Sequence, residues 1–189
     1  MPQVRLVIGI SGATGAIYAI RALEVLRDLS IETHLVISEM GKKTITLETE
    51  YAVSAVEALA TRVYPIRDLA ASISSGSFAT DGMIVAPCSA RTLSAVANCS
   101  NDNLLTRAAD VTLKERRRLV LLFRETPLHA GHCKLMLDAS NIGAIVMPPL
   151  PAFYLKPKTI AEMVDHTVRR VLDLFGIEMP GAERWLSPP

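Results

Sequence analysis

The chain has 189 residues, of which 50% are hydrophobic and 21% charged, and its 20 basic and 19 acidic residues give a net charge of +1. This length suits one domain, and the apolar content excludes an intrinsically disordered chain. The balanced charge argues against a protein that binds nucleic acid over its whole surface.

Membrane insertion and secretion are not expected from the sequence. No window reaches the roughly 20 apolar residues that a spanning helix needs, and the first residues lack a signal-peptide pattern. The three cysteines have no metal-ligand spacing, which favours reduced thiols. We therefore expect a cytoplasmic protein.

Apolar runs alternate along the chain with segments of helical periodicity. The pattern predicts strands over residues 4–10, 32–37, 82–86, 119–123 and 144–147, and helices over residues 16–29, 89–99, 104–115, 128–141 and 159–175. Nearly continuous apolar strands are typical of a parallel sheet that is buried on both faces. The alternation predicts an α/β fold with a doubly wound, mostly parallel sheet, a Rossmann-like or flavodoxin-like three-layer sandwich. We expect residues 1–189 to form this one domain, with the tail 176–189 packing near the active site or a neighbouring subunit.

A glycine-rich turn, residues 9–15, lies where the first strand leads into the first helix. Backbone N–H groups and the helix dipole can hold a phosphate at such a position. The turn lacks the G-x-G spacing and the later acidic residue of a dinucleotide-binding fingerprint. It predicts either an anion site or a tight structural turn.

Hydroxyl side chains follow two later strands, where a doubly wound sheet places its ligands. Ser38 follows one strand, and Ser89 and Thr92 follow another at helix-start spacing. These hydroxyls suit helix capping, ligand contact or both. The preceding Cys88 is interpreted as a small buried hydrophobic residue, because no base lies beside it in the sequence.

An ionisable pair, Arg124 and Glu125, directly follows another apolar strand. Its position favours a role in chemistry over a purely solvent-exposed one. By contrast, Glu48 lies in a segment for which an exposed helix face is the default interpretation. His129 and His132 are interpreted as capping and packing residues rather than metal ligands, and no Asp-rich cluster is present, so no metal is expected.

Six motifs occur in order along the chain: residues 9–16, 72–78, 87–89, 107–117, 124–128 and 151–154. Together they make the sequence similar to the UbiX-type flavin prenyltransferases over nearly its whole length. The resemblance implies that reduced FMN is alkylated at N5 by dimethylallyl monophosphate and closed through C6. The product, prenylated FMN, is the cofactor of a separate UbiD-type decarboxylase. Members of the family are homododecamers whose sites form between subunits.

The resemblance also implies roles for individual residues. Nine match the family's FMN contacts: Gly12, Ala13, Thr14, Ser38, Ser89, Ala90, Arg91, Thr92 and Arg124. Six match groups around the prenyl substrate: Arg107, Lys114, Arg124, Tyr154, Arg170 and Trp185. Four match catalytic positions: Glu48, Glu125, Thr14 and Lys114. Thr14 stands where many members have Ser, and Leu69 falls near where some carry a pocket Trp.

Two other functions fit parts of the pattern. An FMN-dependent cysteine-type decarboxylase would share the fold, but its Pro-Ala-Ser-Ala-Asn-Thr motif is here Pro-Cys-Ser-Ala-Arg-Thr, at residues 87–92, and residues 69–78 contain no histidine to act as base. A non-catalytic FMN-binding or delivery protein would share the phosphate-binding residues. Glu125 distinguishes the enzyme from this binding protein.

Overall fold

The computed structural model describes residues 4–180. The strands are β1 (Arg5–Ile10), β2 (Glu32–Ile37), β3 (Arg62–Tyr64), β4 (Gly82–Cys88), β5 (Arg118–Phe123) and β6 (Ile145–Val146). The helices are α1 (Ala16–Asp28), α2 (Glu39–Glu48), α3 (Val53–Glu57), α4 (Ala90–Ala97), α5 (Leu104–Lys114), α6 (Ala130–Asn141) and α7 (Ile160–Asp173). Two 3₁₀ turns cover Ser72–Ser74 and Phe153–Leu155.

The strands form one six-stranded sheet in the order β3-β2-β1-β4-β5-β6. All neighbouring strands run parallel, which confirms the predicted doubly wound α/β fold. The direction of winding reverses between β1 and β4. In such sheets the crevice beyond the carboxyl ends of the strands, at this reversal, is where ligands bind.

Two layers of helices bury the two faces of the sheet. Leu6, Ile8 and Ile10 of β1 are buried among residues of α1, α2 and α7, whereas Val7 packs among residues of α4 and α5. Successive side chains of a strand point to opposite faces, so a strand covered on both sides must be apolar throughout. This explains the continuous apolar runs in the sequence.

Every predicted element is present, and its ends lie within two residues of the predicted ones. The sequence did not predict β3, α2 or α3. Arg62 and Val63 of the edge strand β3 are exposed, and α2 buries only Gly41 and Ile45, so neither carries a clear apolar period. None of the helices within residues 4–180 is both long and apolar enough to cross a membrane.

A buried histidine connects three parts of the fold at the amino-terminal edge of the sheet. His34 on β2 is 1% exposed, and its Nε2 lies 2.8 Å from Oε1 of Glu32. Because a carboxylate only accepts, Nε2–H donates to Glu32 and Nδ1 accepts from the Tyr64 hydroxyl, also at 2.8 Å. The Tyr64 oxygen is in turn 2.8 Å from the Ser72 hydroxyl. The neutral form of His34 therefore satisfies this network.

We expect stability to fall in mild acid because of His34. Burial is the main cause that lowers the pKa of His34, with Glu32 opposing it. The unfolded state then binds the proton more readily, so this contribution is complete above the ordinary histidine pKa of about 6.5 and declines as the pH falls below it. Urea unfolding as a function of pH should show a shallower acid decline for His34→Gln than for the wild type. Equal slopes in the two proteins would contradict this assignment.

Candidate active site

A cleft of about 470 Å³ opens at the carboxyl edge of the sheet. Thr14, Glu48 and Arg124 line it together with Pro149, which follows β6, and Ile160 at the start of α7. Three residues predicted to belong to the site therefore lie at one cleft, although they are far apart in the sequence. The proline-rich loop predicted at this edge also contributes to its wall.

Ser11 joins the turn after β1 to the turn after β4. Its buried hydroxyl donates to the Pro87 carbonyl at 2.8 Å and accepts from the Ser89 backbone N–H at 2.8 Å. The glycine-rich turn and the start of α4 are thereby fixed to each other across the winding reversal. Ser11 was not among the predicted site residues, and its place directly after an apolar strand was the only signal for it.

Ser11→Ala should destabilise the protein and weaken FMN binding. The change leaves the part-buried Ser89 N–H without its partner, which costs up to about 1–3 kcal/mol. Chemical denaturation and a flavin fluorescence titration would measure the two effects. Ser77→Ala is the matched control, because Ser77 is exposed and bonds to the Ser75 hydroxyl. Equal stabilities for the two variants would contradict the bridging role.

Gly12 allows the glycine-rich turn to approach α2 closely. A Cβ at Gly12 would lie 2.3 Å from the Cβ of Met40, which is too close for two carbon atoms that are not bonded to each other. The close packing sets Ser38, the N-cap of α2, near the turn. The Ser38 Oγ accepts from the Gly41 N–H at 3.0 Å, and its own hydrogen can still be donated to a ligand.

Ser89 caps α4, as the spacing of the hydroxyls predicted. Its Oγ accepts from the Thr92 N–H at 3.2 Å and lies 3.0 Å from the Thr92 Oγ1, to which it donates. The Thr92 hydroxyl hydrogen can therefore be donated elsewhere. Ala90 and the exposed Arg91 form the first turn of this helix.

Glu48 was expected on an exposed helix face, but its side chain forms hydrogen bonds with the start of α1. Its Oε2 accepts from the backbone N–H groups of Gly15 and Ala16, at 2.8 and 3.4 Å. Gly15 is the N-cap of α1, and a glycine has no side chain that could accept from the first N–H groups of the helix. The Glu48 carboxylate accepts from them instead, at the positive end of the helix dipole. These two N–H groups of the glycine-rich turn thus bind a carboxylate of the chain itself.

Arg124 and Glu125 lie at the carboxyl end of β5. The Arg124 backbone N–H donates to the Cys88 carbonyl at 3.0 Å, which holds the pair beside the end of β4. Glu125 Oε1 accepts from the Thr126 N–H at 3.1 Å. Both side chains therefore start from an anchored backbone, and the Arg124 side chain reaches the cleft.

The neighbouring cysteine and histidine behave as the sequence indicated. Cys88 is fully buried, and burial raises the pKa of its thiol. His129 caps α6, its Nδ1 accepting from the Gly131 N–H at 3.0 Å. In the part of the chain that the structure describes, no three His, Cys, Asp or Glu side chains are grouped so that they could hold a metal ion.

Lys114 lies at the opposite edge of the sheet from Arg124. It ends α5, just before β5 begins, and the six residues of β5 separate the two edges by roughly 17–20 Å. Lys114 pairs with Glu115, and Gly76 passes directly over this ion pair. A Cβ at Gly76 would lie 2.1 Å from Glu115 Oε1 and 2.7 Å from Lys114 Nζ, so a side chain there would have to displace the ends of these two side chains.

The segment of residues 72–78 is fixed against α5. Arg107 donates through Nε to the Ser74 carbonyl at 3.2 Å and through Nη1 to Asp110 at 2.9 Å. Arg117 donates to the Gly76 carbonyl at 2.7 Å. In the described structure Arg107 thus holds this segment, and it does not reach the cleft that contains Arg124.

Two further predicted site residues lie in a third part of the structure. Tyr154 is in the turn before α7, and Arg170 is on α7 itself. The Tyr154 hydroxyl lies 3.5 Å from the ring of His166, and Arg170 pairs with Asp173 at 3.0 Å. Trp185 lies outside the described residues. One chain therefore presents the predicted site in three separate parts: the Arg124 cleft, the Lys114 edge and the Tyr154–Arg170 face of α7.

Comparisons with known proteins agree with the fold. A family model described as Flavoprotein matches residues 1–171. The flavin prenyltransferase UbiX of Thauera aromatica is 56% identical over 181 residues, 96% of this chain and 93% of that protein. The crystal structure of AnUbiX (PadA1) in complex with FMN and dimethylallyl pyrophosphate has a TM-score of 0.97 and 49% identity, covering 99% of this chain and 100% of that one. The crystal structure of the dodecameric FMN-dependent UbiX-like decarboxylase from Escherichia coli O157:H7 has a TM-score of 0.95 and 50% identity. The match covers 97% of this chain and 100% of that one. The chain belongs to the UbiX flavin prenyltransferase family.

Proposed function

We propose that this chain transfers a dimethylallyl group from dimethylallyl monophosphate to N5 and C6 of reduced FMN, releasing phosphate and forming prenylated FMN. The observation that carries the proposal is the cleft at the carboxyl edge of the sheet, which Thr14, Glu48 and Arg124 line together. Family membership supports it. A cysteine-type decarboxylase is less well supported, because the motif at residues 87–92 differs from that of such enzymes.

Two of the nine proposed FMN contacts, Thr14 and Arg124, line this cleft. Its volume of about 470 Å³ lies within the range of small-molecule sites, about 300–1,000 Å³. Ser38 and Thr92 stand at the starts of α2 and α4 with hydroxyl hydrogens to donate, and helix N-termini favour a phosphate. Gly12, Ala13, Thr14, Ser89, Ala90, Arg91 and Arg124 complete the proposed contacts. When bound, reduced FMN supplies N5 as the nucleophile and C6 as the second position of alkylation.

Cations assist the departure of phosphate in this proposal. Breaking the allylic carbon–oxygen bond leaves its electron pair on the phosphate, so negative charge grows on the leaving group. Arg124, Lys114 and Arg170, with the Tyr154 hydroxyl, would stabilise that charge more in the transition state than in the bound substrate. Arg107 is a weaker candidate, since it already holds the segment of residues 72–78.

Carboxylates handle the protons that the reaction displaces. Balance requires that N5 and C6 each lose a proton, that the prenyl double bond gain one, and that the released phosphate carry the other. Glu125 is anchored beside the cleft and can relay a proton in concert with the released phosphate. Glu48, bound to the start of α1, would orient that helix and Thr14 against the flavin.

The complete site would be assembled from several copies of the chain. Lys114 and Arg124 lie at opposite edges of the sheet, so a phosphate that contacts both must be bound between two chains. A homododecamer, the state in which the E. coli relative was described, supplies such neighbours. We further propose that the chain forms one FMN-binding domain, that it acts in the cytoplasm and that a UbiD-type decarboxylase receives its product.

Phosphate release tests the proposed reaction. With dimethylallyl monophosphate under anaerobic conditions, we expect one phosphate released per reduced FMN consumed, and none with oxidised FMN. Dimethylallyl pyrophosphate would release pyrophosphate instead, so measuring that product in a parallel reaction distinguishes the two substrate forms. FMN binding without phosphate release would instead favour a flavin-delivery protein.

A further inference from the structure

His166 neighbours two residues assigned above to the prenyl phosphate, Tyr154 and Arg170. It is one helical turn before Arg170 on α7, so the two side chains share a face of the helix. On its other side the ring of Tyr154 meets it edge to face, with ring centroids 6.0 Å apart and planes at 89°. The Tyr154 hydroxyl is 3.5 Å from the His166 Nε2.

We propose that His166 is a positioning residue of the prenyl-phosphate site, which holds the Tyr154 hydroxyl when neutral and takes up a proton from solvent when the phosphate dianion binds. The inference rests on the proposed function, because it takes Tyr154 and Arg170 as phosphate ligands. It adds a residue that the resemblance did not assign and a dependence of substrate binding on pH.

The surroundings of His166 are predominantly basic. It lines a second cleft, of about 560 Å³, beside the turn that carries Tyr154. The ionisable groups that face this cleft from α7, α1 and the loop before α7 are Arg169, Glu162, Asp165, Arg21, Lys156 and Lys158. Asp165 is paired with Arg21 at 2.6 Å, and Glu162 accepts from the Lys158 backbone N–H at 2.6 Å. The acids are thus engaged, while the lysine side chains add positive charge.

This environment favours the neutral form of the histidine when no anion is bound. Burial, followed by the charges of Arg169 and Arg170, lowers the pKa of His166. A dianionic phosphate beside Tyr154 and Arg170 would oppose these cations and favour the protonated ring. An imidazolium donates from both nitrogens, so the charged form gains a bond to the phosphate that the neutral form lacks.

Linkage fixes the sign of the pH effect. If binding takes up a proton, affinity falls as the pH rises between the pKa of His166 in the free and bound states. The second ionisation of the substrate phosphate, at about pH 6, acts in the opposite direction. That ionisation is common to every variant, so it cancels when two enzymes are compared with the same substrate.

Two variants separate titration from packing. His166→Gln keeps an amide that can bond to the Tyr154 hydroxyl but cannot take up a proton, and His166→Phe keeps the ring contact and loses the bond. We expect the KM for dimethylallyl monophosphate to rise with pH more steeply in the wild type than in His166→Gln, by up to about tenfold per pH unit. In His166→Phe the KM should rise at every pH, while FMN binding stays close to wild type in both variants.

Equal pH slopes of KM in the wild type and His166→Gln would overturn the proposal, as would an unchanged KM in His166→Phe. A wild type without turnover would instead contradict the proposed function. Even without turnover, proton uptake can be measured by calorimetric titration with inorganic phosphate. The titration is made in two buffers of different ionisation enthalpy, because the difference in binding enthalpy gives the number of protons taken up. Uptake in the wild type that is lost in His166→Gln supports the role of His166, and equal uptake overturns it.

Discussion

Glu125→Gln should slow prenylation by about 10²–10⁴-fold, the usual contribution of a general acid or base, while the protein still binds FMN. The amide keeps the size of the side chain and can still accept from the Thr126 N–H, as Glu125 does, but it cannot exchange protons. The loss should therefore appear in kcat. Single-turnover formation of prenylated FMN, with FMN affinity measured in parallel, gives both quantities.

Glu57→Gln provides the matched control for this loss. Glu57 lies on α3, away from the residues that line the Arg124 cleft, so its neutralisation should leave turnover unchanged. Undiminished turnover in Glu125→Gln would remove Glu125 from the mechanism. A parallel loss of FMN binding would show that Glu125 supports the cleft rather than the chemistry.

Lys114→Gln should also reduce turnover strongly, by about 10²-fold or more, because it removes a charge that stabilises the departing phosphate. FMN binding should persist, since Lys114 lies at the far edge of the sheet from the Arg124 cleft of its own chain. The variant separates phosphate stabilisation from flavin binding. Turnover and flavin affinity of the purified variant are the measurements.

Mixed oligomers test whether Lys114 and Glu125 act from different chains. Co-expressed Lys114→Gln and Glu125→Gln chains, each inactive alone, should recover about a quarter of wild-type activity, because random assembly gives that share of sites two intact contributors. Two differently tagged chains allow the mixed species to be isolated. No recovery would mean that one chain supplies both residues to each site.

Much of the fold follows from the sequence because most of its strands contain nearly continuous apolar runs. The predicted strand over residues 32–37 coincides with β2, whose polar residues Glu32, Thr33 and His34 precede the apolar run of residues 35–37. The edge strand β3 escaped prediction because it is short and partly exposed. Local chemistry also predicted the caps at Ser89 and His129, whose bonds span only a few residues.

Contacts between residues that are far apart in the chain could not be predicted from local sequence patterns. The bond from Gly15 to Glu48 spans 33 residues, and the bond from Ser89 to Ser11 spans 78. The first joins the start of α1, after β1, to the end of α2, which follows the neighbouring strand β2. The second joins the carboxyl ends of β1 and β4, which are also neighbours. The separation of Lys114 from Arg124 likewise follows from α5 running antiparallel to the strand that it precedes. No local pattern in the sequence indicates this separation.

The mass of the flavin after reaction tests the assignment as a flavin prenyltransferase most directly. The wild-type protein is incubated without oxygen with reduced FMN and dimethylallyl monophosphate, and the extracted flavin is analysed by mass spectrometry. We expect a flavin that is heavier than FMN by one C5H8 unit and that is absent when the protein is omitted. Bound FMN of unchanged mass, in protein that retains the cleft and its affinity for the flavin, would contradict the assignment.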